Sequence, residues 1–320
     1  MEATQNIAKF NSLTTMLAAL PDDAACRSYL EQKIWNGTPT CTYCKCTKAY
    51  TLKTKGVFKG MYKCGDCKQR YTVTIGTMFE GSHVPLRKWF IAIYIFSLHK
   101  KGISSHQLAS DLGVTQKTAW FMLSRIRQAF SPKDADIKQD GCFQADETFI
   151  GGKHKNRHAD KKVVESQGRS VKDKTPVFGL LQSGGKVRTA VITDTKASTI
   201  KPIIKRMVAE GAIIITDEWV AYKGLATTHS HVVLNHKENE YVRGGFHNNG
   251  IENFWSHLKR GIYGIYHHVS PKHLTRYCDE FAFRYNARKE SVNERFDYSL
   301  LNSTKLTYKK LTSKIAYDAC

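Results

Sequence analysis

Two cysteine pairs constrain this chain more than any other feature. Cys41-Thr42-Tyr43-Cys44 and Cys64-Gly65-Asp66-Cys67 form a C-x2-C…C-x2-C pattern with nineteen residues between the pairs. A C-x2-C knuckle puts two sulfurs on one side of a tight turn, so two knuckles supply the four thiolates of a tetrahedral zinc site. Gly65 eases the second turn. Four sulfurs leave no position open for substrate. The expectation is therefore one structural Zn2+ held by Cys41, Cys44, Cys64 and Cys67, with Cys46 close enough to stand in for a ligand. Five of the nine cysteines fall in this stretch, which fits metal binding in a reducing compartment better than a disulfide framework.

Charge narrows the partner. The 320 residues hold 49 Lys+Arg against 28 Asp+Glu, a formal +21, while the hydrophobic fraction of 41% is ordinary for a folded protein. Such an excess implies an anionic partner, most commonly nucleic acid. The start lacks a basic region followed by an apolar run, so no secretory signal is expected. The longest apolar run, Trp89 to Leu98, is too short to span a bilayer and is flanked by Arg87, Lys88, His99 and Lys100. A buried helix accounts for it, and no membrane partner is expected.

Along the chain the texture changes several times. Helical spacing of Phe10, Leu13, Met16, Leu17 and Leu20 marks an N-terminal helical segment over 1–36, with Pro21-Asp22-Asp23 opening its second helix. The cysteine region, with short β segments, occupies 37–80, and a helical region occupies 81–132. An α/β domain follows over 138–295, and a basic tail over 296–320. Within the α/β domain, F-Q-A-D-E-T-F-I, P-V-F-G-L-L-Q, V-R-T-A-V-I-T and A-I-I-I-T-D read as strands. Ser183-Gly184-Gly185-Lys186 is a hairpin signal between the second and third, and a helix is expected from about Ser198 to Glu210. The polar stretch Gly151 to Thr175 is long enough to be a DNA-facing or a solvated loop.

Ile103 to Arg127 reads as a helix-turn-helix. Leu108, Ala109 and Leu112 form the inner face of the first helix, Gly113 permits the turn, and Thr115 caps a second helix that turns Ala119, Met122 and Ile126 inward. That helix would offer Gln116, Lys117 and Thr118 to a major groove, although the same shape also occurs as a plain packing unit.

Three acids remain. Asp146 lies in a central strand, Asp217 ends the next parallel strand, and Glu252 starts a helix whose apolar stripe is Ile251, Phe254, Leu258 and Ile262. Separately each has a bland reading: a strand-end polar residue, a helix cap, a solvated helix edge. Together such acids can converge on hard divalent cations, and two Mg2+ or Mn2+ ions can serve phosphodiester chemistry. Glu147 points to the other face of its strand from Asp146, so only one of the two can serve. Lys259, two turns after Glu252, falls on the same helical edge.

These residues stand in long motifs: A-D-E-T-F-I-G-G-K at 145–153, I-T-D-E-W-x-A-Y at 215–222 and H-N-N-G-I-E-N-F-W-S-H-L-K-R-G-I-Y-G at 247–264. H-H-V-S-P-K-H-L-x-R-Y at 267–277, E-F-x-F-R-Y-N-x-R at 280–288 and G-T-M-F at 76–79 extend them. The chain thereby resembles the IS1595 family of transposases, with their ISXO2-like domain, related to eukaryotic Merlin elements. The resemblance implies an RNase H-like fold of α/β class behind a zinc ribbon and a helix-turn-helix. It also implies a DDE triad of Asp146, Asp217 and Glu252 holding two Mg2+ or Mn2+, with Lys259, and Arg260 beside it, on DNA near the cut end. Some family members carry Asn or His in place of the glutamate; this chain has Glu, and Asn249 and Asn253 are its nearest rivals as third ligand.

The chemistry so implied is cleavage at transposon ends and strand transfer into target DNA. Two ends must be held together, so a homodimer or larger assembly on double-stranded DNA is expected, in the bacterial cytoplasm with the nucleoid or in a eukaryotic nucleus. Two rivals stand beside it: a zinc-ribbon, helix-turn-helix DNA-binding protein that has lost or never had catalysis, and an RNase H-like nuclease without strand transfer. Arg284, Tyr285, Asn286 and Arg288 fit core packing as well as DNA contact, Trp219 and Trp255 fit core or platform aromatics better than recognition elements, and His247, His267 and His268 carry only a weak suggestion of phosphate contact.

Overall fold

The computed structural model describes residues 9–132, 137–151, 158 and 173–313. The chain divides into two compact units, Met1–Phe130 with Lys289–Lys314, and Ser131–Arg288 with Ile315–Cys320. Most of the stretch Gly151 to Thr175 lies outside the described residues. No helix among the described residues is long and apolar enough to cross a membrane.

The first unit begins with α1 (Leu13–Ala19) and α2 (Asp23–Trp35), each capped by a side chain, Ser12 and Asp22, that accepts a free backbone N–H of the first turn. A three-stranded antiparallel sheet follows, β1 (Ala49–Thr54), β2 (Val57–Cys64) and β3 (Arg70–Tyr71). Then come α3 (Leu86–Leu98), α4 (Ser105–Leu112) and α5 (Gln116–Gln128). The apolar run does form a helix, α3, with Trp89, Phe90, Ile93, Tyr94 and Phe96 all buried. Gly113 closes α4 in the left-handed region at φ 58°, and Thr115 caps α5 by accepting from the Thr118 N–H.

The segment expected as a basic tail from 296 differs over its described part. It holds α9 (Val292–Leu301) and α10 (Tyr308–Thr312), with Phe296, Leu300, Leu306 and Leu311 buried. Phe296 meets Phe10, Phe90 and Tyr94 at ring-centroid distances of 5.3, 5.5 and 6.2 Å. Asp297 accepts from the Tyr29 hydroxyl at 2.6 Å and pairs with Lys33 at 2.6 Å. Apolar residues diluted among lysines read as a tail because the partners of Phe296 lie more than two hundred positions earlier.

The second unit is mixed α/β. Its five-stranded sheet has the order β6-β5-β4-β7-β8, formed by β4 (Cys142–Ile150), β5 (Thr175–Gln182), β6 (Val187–Val191), β7 (Ile213–Asp217) and β8 (Ser230–Leu234). The first three make an antiparallel meander, with Gly184 at φ 69° in the expected hairpin turn. The last two run parallel to β4, which requires a crossover, supplied by α6 (Ala197–Met207) between β6 and β7. This helix stops three residues short of the expected end. The β-branched Val208 instead pairs beside Gln139, whose carbonyl accepts from the Ala209 N–H at 2.8 Å.

Strand alternation sends β4 side chains to two different cores. Phe143 and Ala145 meet Ile200, Ile204 and Tyr222 on one face. On the other, Val177 and Leu181 of β5 meet α7 (Asn249–Gly261) and α8 (Pro271–Asn286) through Ile251, Phe254, Leu258 and Phe281. Between β8 and α7 stands a small hairpin, β9 (Val242–Arg243) with β10 (Phe246–His247).

Candidate active site and zinc centre

Register fixes the first two acids. Strands β4 and β7 pair in parallel as Cys142↔Ile213, Phe143↔Ile214 and Gln144↔Ile215. Continued by two residues, that register sets Asp146 beside Asp217 on the same face, the face that α7 covers. Glu147 points the other way, where the Tyr222 hydroxyl donates to it.

Helix α7 is anchored over β4 by two hydrogen bonds from side chains of alternate residues. Gln144, buried on β4, accepts from the Ile251 N–H at 2.9 Å and satisfies one of the N–H groups a helix start leaves free. One turn on, the Trp255 indole donates to Asp146 Oδ2 at 3.0 Å. The ring fits because Gly179 stands opposite Asp146 on β5; a Cβ there would lie 2.5 Å from the indole. Likewise Gly250 lets α7 approach, since a Cβ would meet Gln144 and Leu181 at 2.7 Å.

Electrostatics report the same convergence. Burial pushes the Asp146 carboxyl up to about 6, against hydrogen bonds from the backbone and the Trp255 indole that pull it down, and the charges of Asp217 and Glu252 push it further up. Burial also lowers the pKa of half-buried Lys259; the charge of Asp146 acts to raise it and that of Lys174 to lower it. Asp217 additionally accepts from the Trp219 N–H at 3.0 Å, while Glu218 turns away to the His236 N–H at 3.1 Å. Glu252 sits exposed in the first turn of α7, where the helix N-terminus favours a negative charge. The three carboxylates are not all within 4.8 Å of one another. Oxygen donors from three elements are the donor type that hard Mg2+ or Mn2+ takes.

Gln144, Trp255 and Gly179 escaped the sequence reading as contributors to this site. A buried Gln two residues before Asp146 on the same strand face was the available signal. Of the other motif residues, Asn286 exchanges hydrogen bonds with the Val187 backbone at 2.8 and 3.0 Å. Arg284 pairs with fully buried Glu280 at 2.8 Å. Trp219 donates to the Thr195 carbonyl at 3.2 Å.

The cysteine centre is compact. Sγ atoms of Cys41, Cys44, Cys64 and Cys67 all lie within 4.8 Å of one another, with Cys41–Cys67 at 3.6 Å and Cys44–Cys64 at 3.5 Å. A tetrahedron with Zn–S bonds of about 2.3 Å has edges of about 3.8 Å, so the set fits zinc. Both knuckles close alike: the N–H of the first cysteine bonds the carbonyl five residues on, Cys46 in one and Gln69 in the other, each at 2.9 Å. Lys45 and Lys68, each just after its second cysteine, take positive φ of 64° and 61°. Cys46 stays outside the set, its sulfur accepting from the Lys48 N–H at 3.2 Å.

On α5, Gln116 and Lys117 are exposed. Gln116 donates to Ser105 Oγ at 2.8 Å, Lys117 lies 5.1 Å from the Tyr308 ring centroid, and Thr118 is engaged with the Thr115 cap. Arg260 on α7 is exposed.

With this geometry in hand, comparison with known proteins is decisive at the level of family. Residues 138–286 match the ISXO2-like transposase domain and residues 21–70 match the transposase zinc-ribbon domain. An uncharacterized protein in transposable element ISH50 of Halobacterium salinarum is 30% identical over 268 residues, covering 80% of this chain and 88% of that relative. An uncharacterized transposase-like protein of Haemophilus influenzae is 31% identical over 102 residues, covering 32% of this chain and 81% of its own length. No solved structure matches the chain. The chain belongs to the IS1595 family of transposases, and its four-cysteine ribbon is a structural zinc centre.

Proposed function

We propose that the second unit is an RNase H-like DDE nucleotidyl transferase that cleaves transposon ends and joins them to target DNA. The observation that carries the reading is the β4/β7 register that sets Asp146 beside Asp217, with the charges of Asp217 and Glu252 acting on the buried Asp146 carboxyl, which in turn acts on Lys259. An antiparallel meander extended by two parallel strands, with the central strand carrying the first acid, supports the RNase H-like assignment.

In this reading Asp146, Asp217 and Glu252 would hold two Mg2+ or Mn2+, which would supply charge stabilisation for phosphodiester chemistry. Trp255 steadies the Asp146 carboxylate by donating to its Oδ2. Lys259, half-buried and close to Asp146, sets a positive charge where a scissile phosphate would lie. Water first attacks the phosphodiester at an element end and frees a 3′ hydroxyl, which then attacks the target strand in the same site. Helices α4 and α5 act as a helix-turn-helix with Gln116 and Lys117 toward the groove and Thr118 in the cap, while Arg260 contacts the backbone. Joining two ends calls for a homodimer or larger assembly on DNA.

The test is cleavage and strand transfer with labelled element-end DNA and Mg2+ or Mn2+, wild type beside Asp217→Ala. Joined products from wild type alone support the reading. Cleavage without joining points to a nuclease, and DNA binding with no cleavage by either protein points to a DNA-binding protein without this chemistry.

A further inference from the structure

The sheet of the zinc ribbon has two faces of opposite character. Its inner face is packed: Tyr62 and Tyr71 stack at 5.6 Å and meet the Trp35 ring of α2, while Phe58 lies under Arg27 of the same helix. Among the described residues, its outer face has no such cover. Tyr50, Lys63 and Arg70 sit side by side across the three strands, in the registers Tyr50↔Lys63 and Lys63↔Arg70. One step along the same face the pair Leu52↔Met61 continues the surface. Tyr50 is 52% and Met61 38% exposed, and Lys63 and Arg70 are exposed as well.

We propose that this outer face is a binding platform for single-stranded DNA, with Tyr50 stacking on a base and Lys63 and Arg70 taking the flanking phosphates. The inference rests on the DNA-handling role argued above and names which form of DNA this surface takes. Charge complementarity selects a polyanion: from Cys41 to Arg70 the chain has eight Lys or Arg residues against Asp66 alone. Shape and chemistry select the single strand. A duplex hides the faces of its bases and offers this flat surface only phosphate and sugar, for which exposed Tyr50 and Met61 are of no use. An unpaired strand offers both a backbone for the cations and π-faces for the aromatic ring, the combination through which sheet surfaces bind single strands. Ends opened by cutting or fraying are where a transposase meets such strands.

The experiment uses full-length protein loaded with zinc, without added magnesium or manganese, and reads fluorescence anisotropy with a labelled oligo-dT strand and a duplex of equal length. Tyr50→Ala should raise Kd for the single strand about 5- to 150-fold, the range expected for losing one base–aromatic stack, and leave duplex binding within about twofold. Tyr50→Phe should restore single-strand binding. Lys63→Gln should weaken both and reduce the salt dependence by about one unit of slope. Zinc content measured on each variant checks that the ribbon is intact, and photo-crosslinks from iodouracil-substituted oligo-dT should map to the Tyr50 peptide. Unchanged single-strand affinity in Tyr50→Ala, equal losses on both DNAs, or crosslinks only elsewhere would overturn the proposal. Since no cutting is read here, a failure of the separate cleavage assay would count against the catalytic reading and leave this one standing.

Discussion

The zinc centre of this chain and its proposed carboxylate centre are built in opposite ways. The zinc centre draws four ligands from residues 41–67, two tight turns on one short sheet, and its sulfurs sit within 4.8 Å of one another. The proposed carboxylate centre draws Asp146, Asp217 and Glu252 from two strands and a helix spread over more than a hundred residues, and depends on a register, a crossover and a helix anchored over the sheet. A local centre is stable when its own ligands are satisfied. A dispersed one is only as precise as the scaffold between its parts.

Chelation should separate them most sharply. Stripping zinc, or Cys64→Ser, removes a contribution on the order of 10 kcal/mol in small zinc modules, so β1 to β3 should lose amide-exchange protection while β4, β5 and β7 keep theirs. Concerted loss in both units would show the centres to be coupled. At the other centre Asp217→Ala should abolish cleavage with the zinc content and thermal midpoint essentially unchanged, because a charge that raises the pKa of Asp146 is removed rather than a packed side chain. Residual cutting near wild-type rate would remove Asp217 from the chemistry.

Scaffold changes come next in size. Gly179→Ala forces a Cβ to within 2.5 Å of Trp255, and overpacking of this kind costs about 1–3 kcal/mol. Denaturant titration should register that loss, with Mn2+ affinity falling alongside it. Trp255→Phe keeps a ring over Gly179 but loses the N–H to Asp146. Losing an outer partner of a ligand weakens metal binding about 10- to 100-fold, so electron paramagnetic resonance of Mn2+ should show that drop with little change in stability.

The smallest effect is on pH. Asp146 is pushed up to about 6 from an unfolded value of 3.8, so between those values the folded chain holds a proton that the unfolded chain has lost. Metal-free stability should therefore fall as pH rises through that window, and Mn2+ affinity should rise with pH up to about 6 as the proton yields its place. A flat Mn2+ affinity between pH 4.5 and 7 would place the metal elsewhere. Such a result would leave the zinc centre untouched, which is why the pair of measurements sharpens the contrast.

Legibility followed the same divide. The knuckle spacing alone named the four zinc ligands, and only the structure set Cys46 aside, its sulfur accepting a backbone N–H instead. Strands, the Gly184 hairpin, the Gly113 turn and the Thr115 cap were readable because each depends on neighbours a few residues away. Trp255 looked like one more core aromatic, since nothing within helical reach says that its N–H meets Asp146 109 positions earlier. Phe296 looked like part of a basic tail for the same reason, its partners being Phe10, Phe90 and Tyr94.

By itself, then, the sequence determined what short-range chemistry determines: a zinc ribbon, helices with their caps, a strand-rich α/β unit, and the membership in a transposase family that long motifs carry. Only the tertiary structure decided which face of β4 the α7 helix covers, which of two adjacent acids therefore looks toward Asp217, and which glycine yields its space to an indole. Those choices depend on strand register and close packing between distant segments, and a one-residue slip in register would have exchanged Asp146 for Glu147.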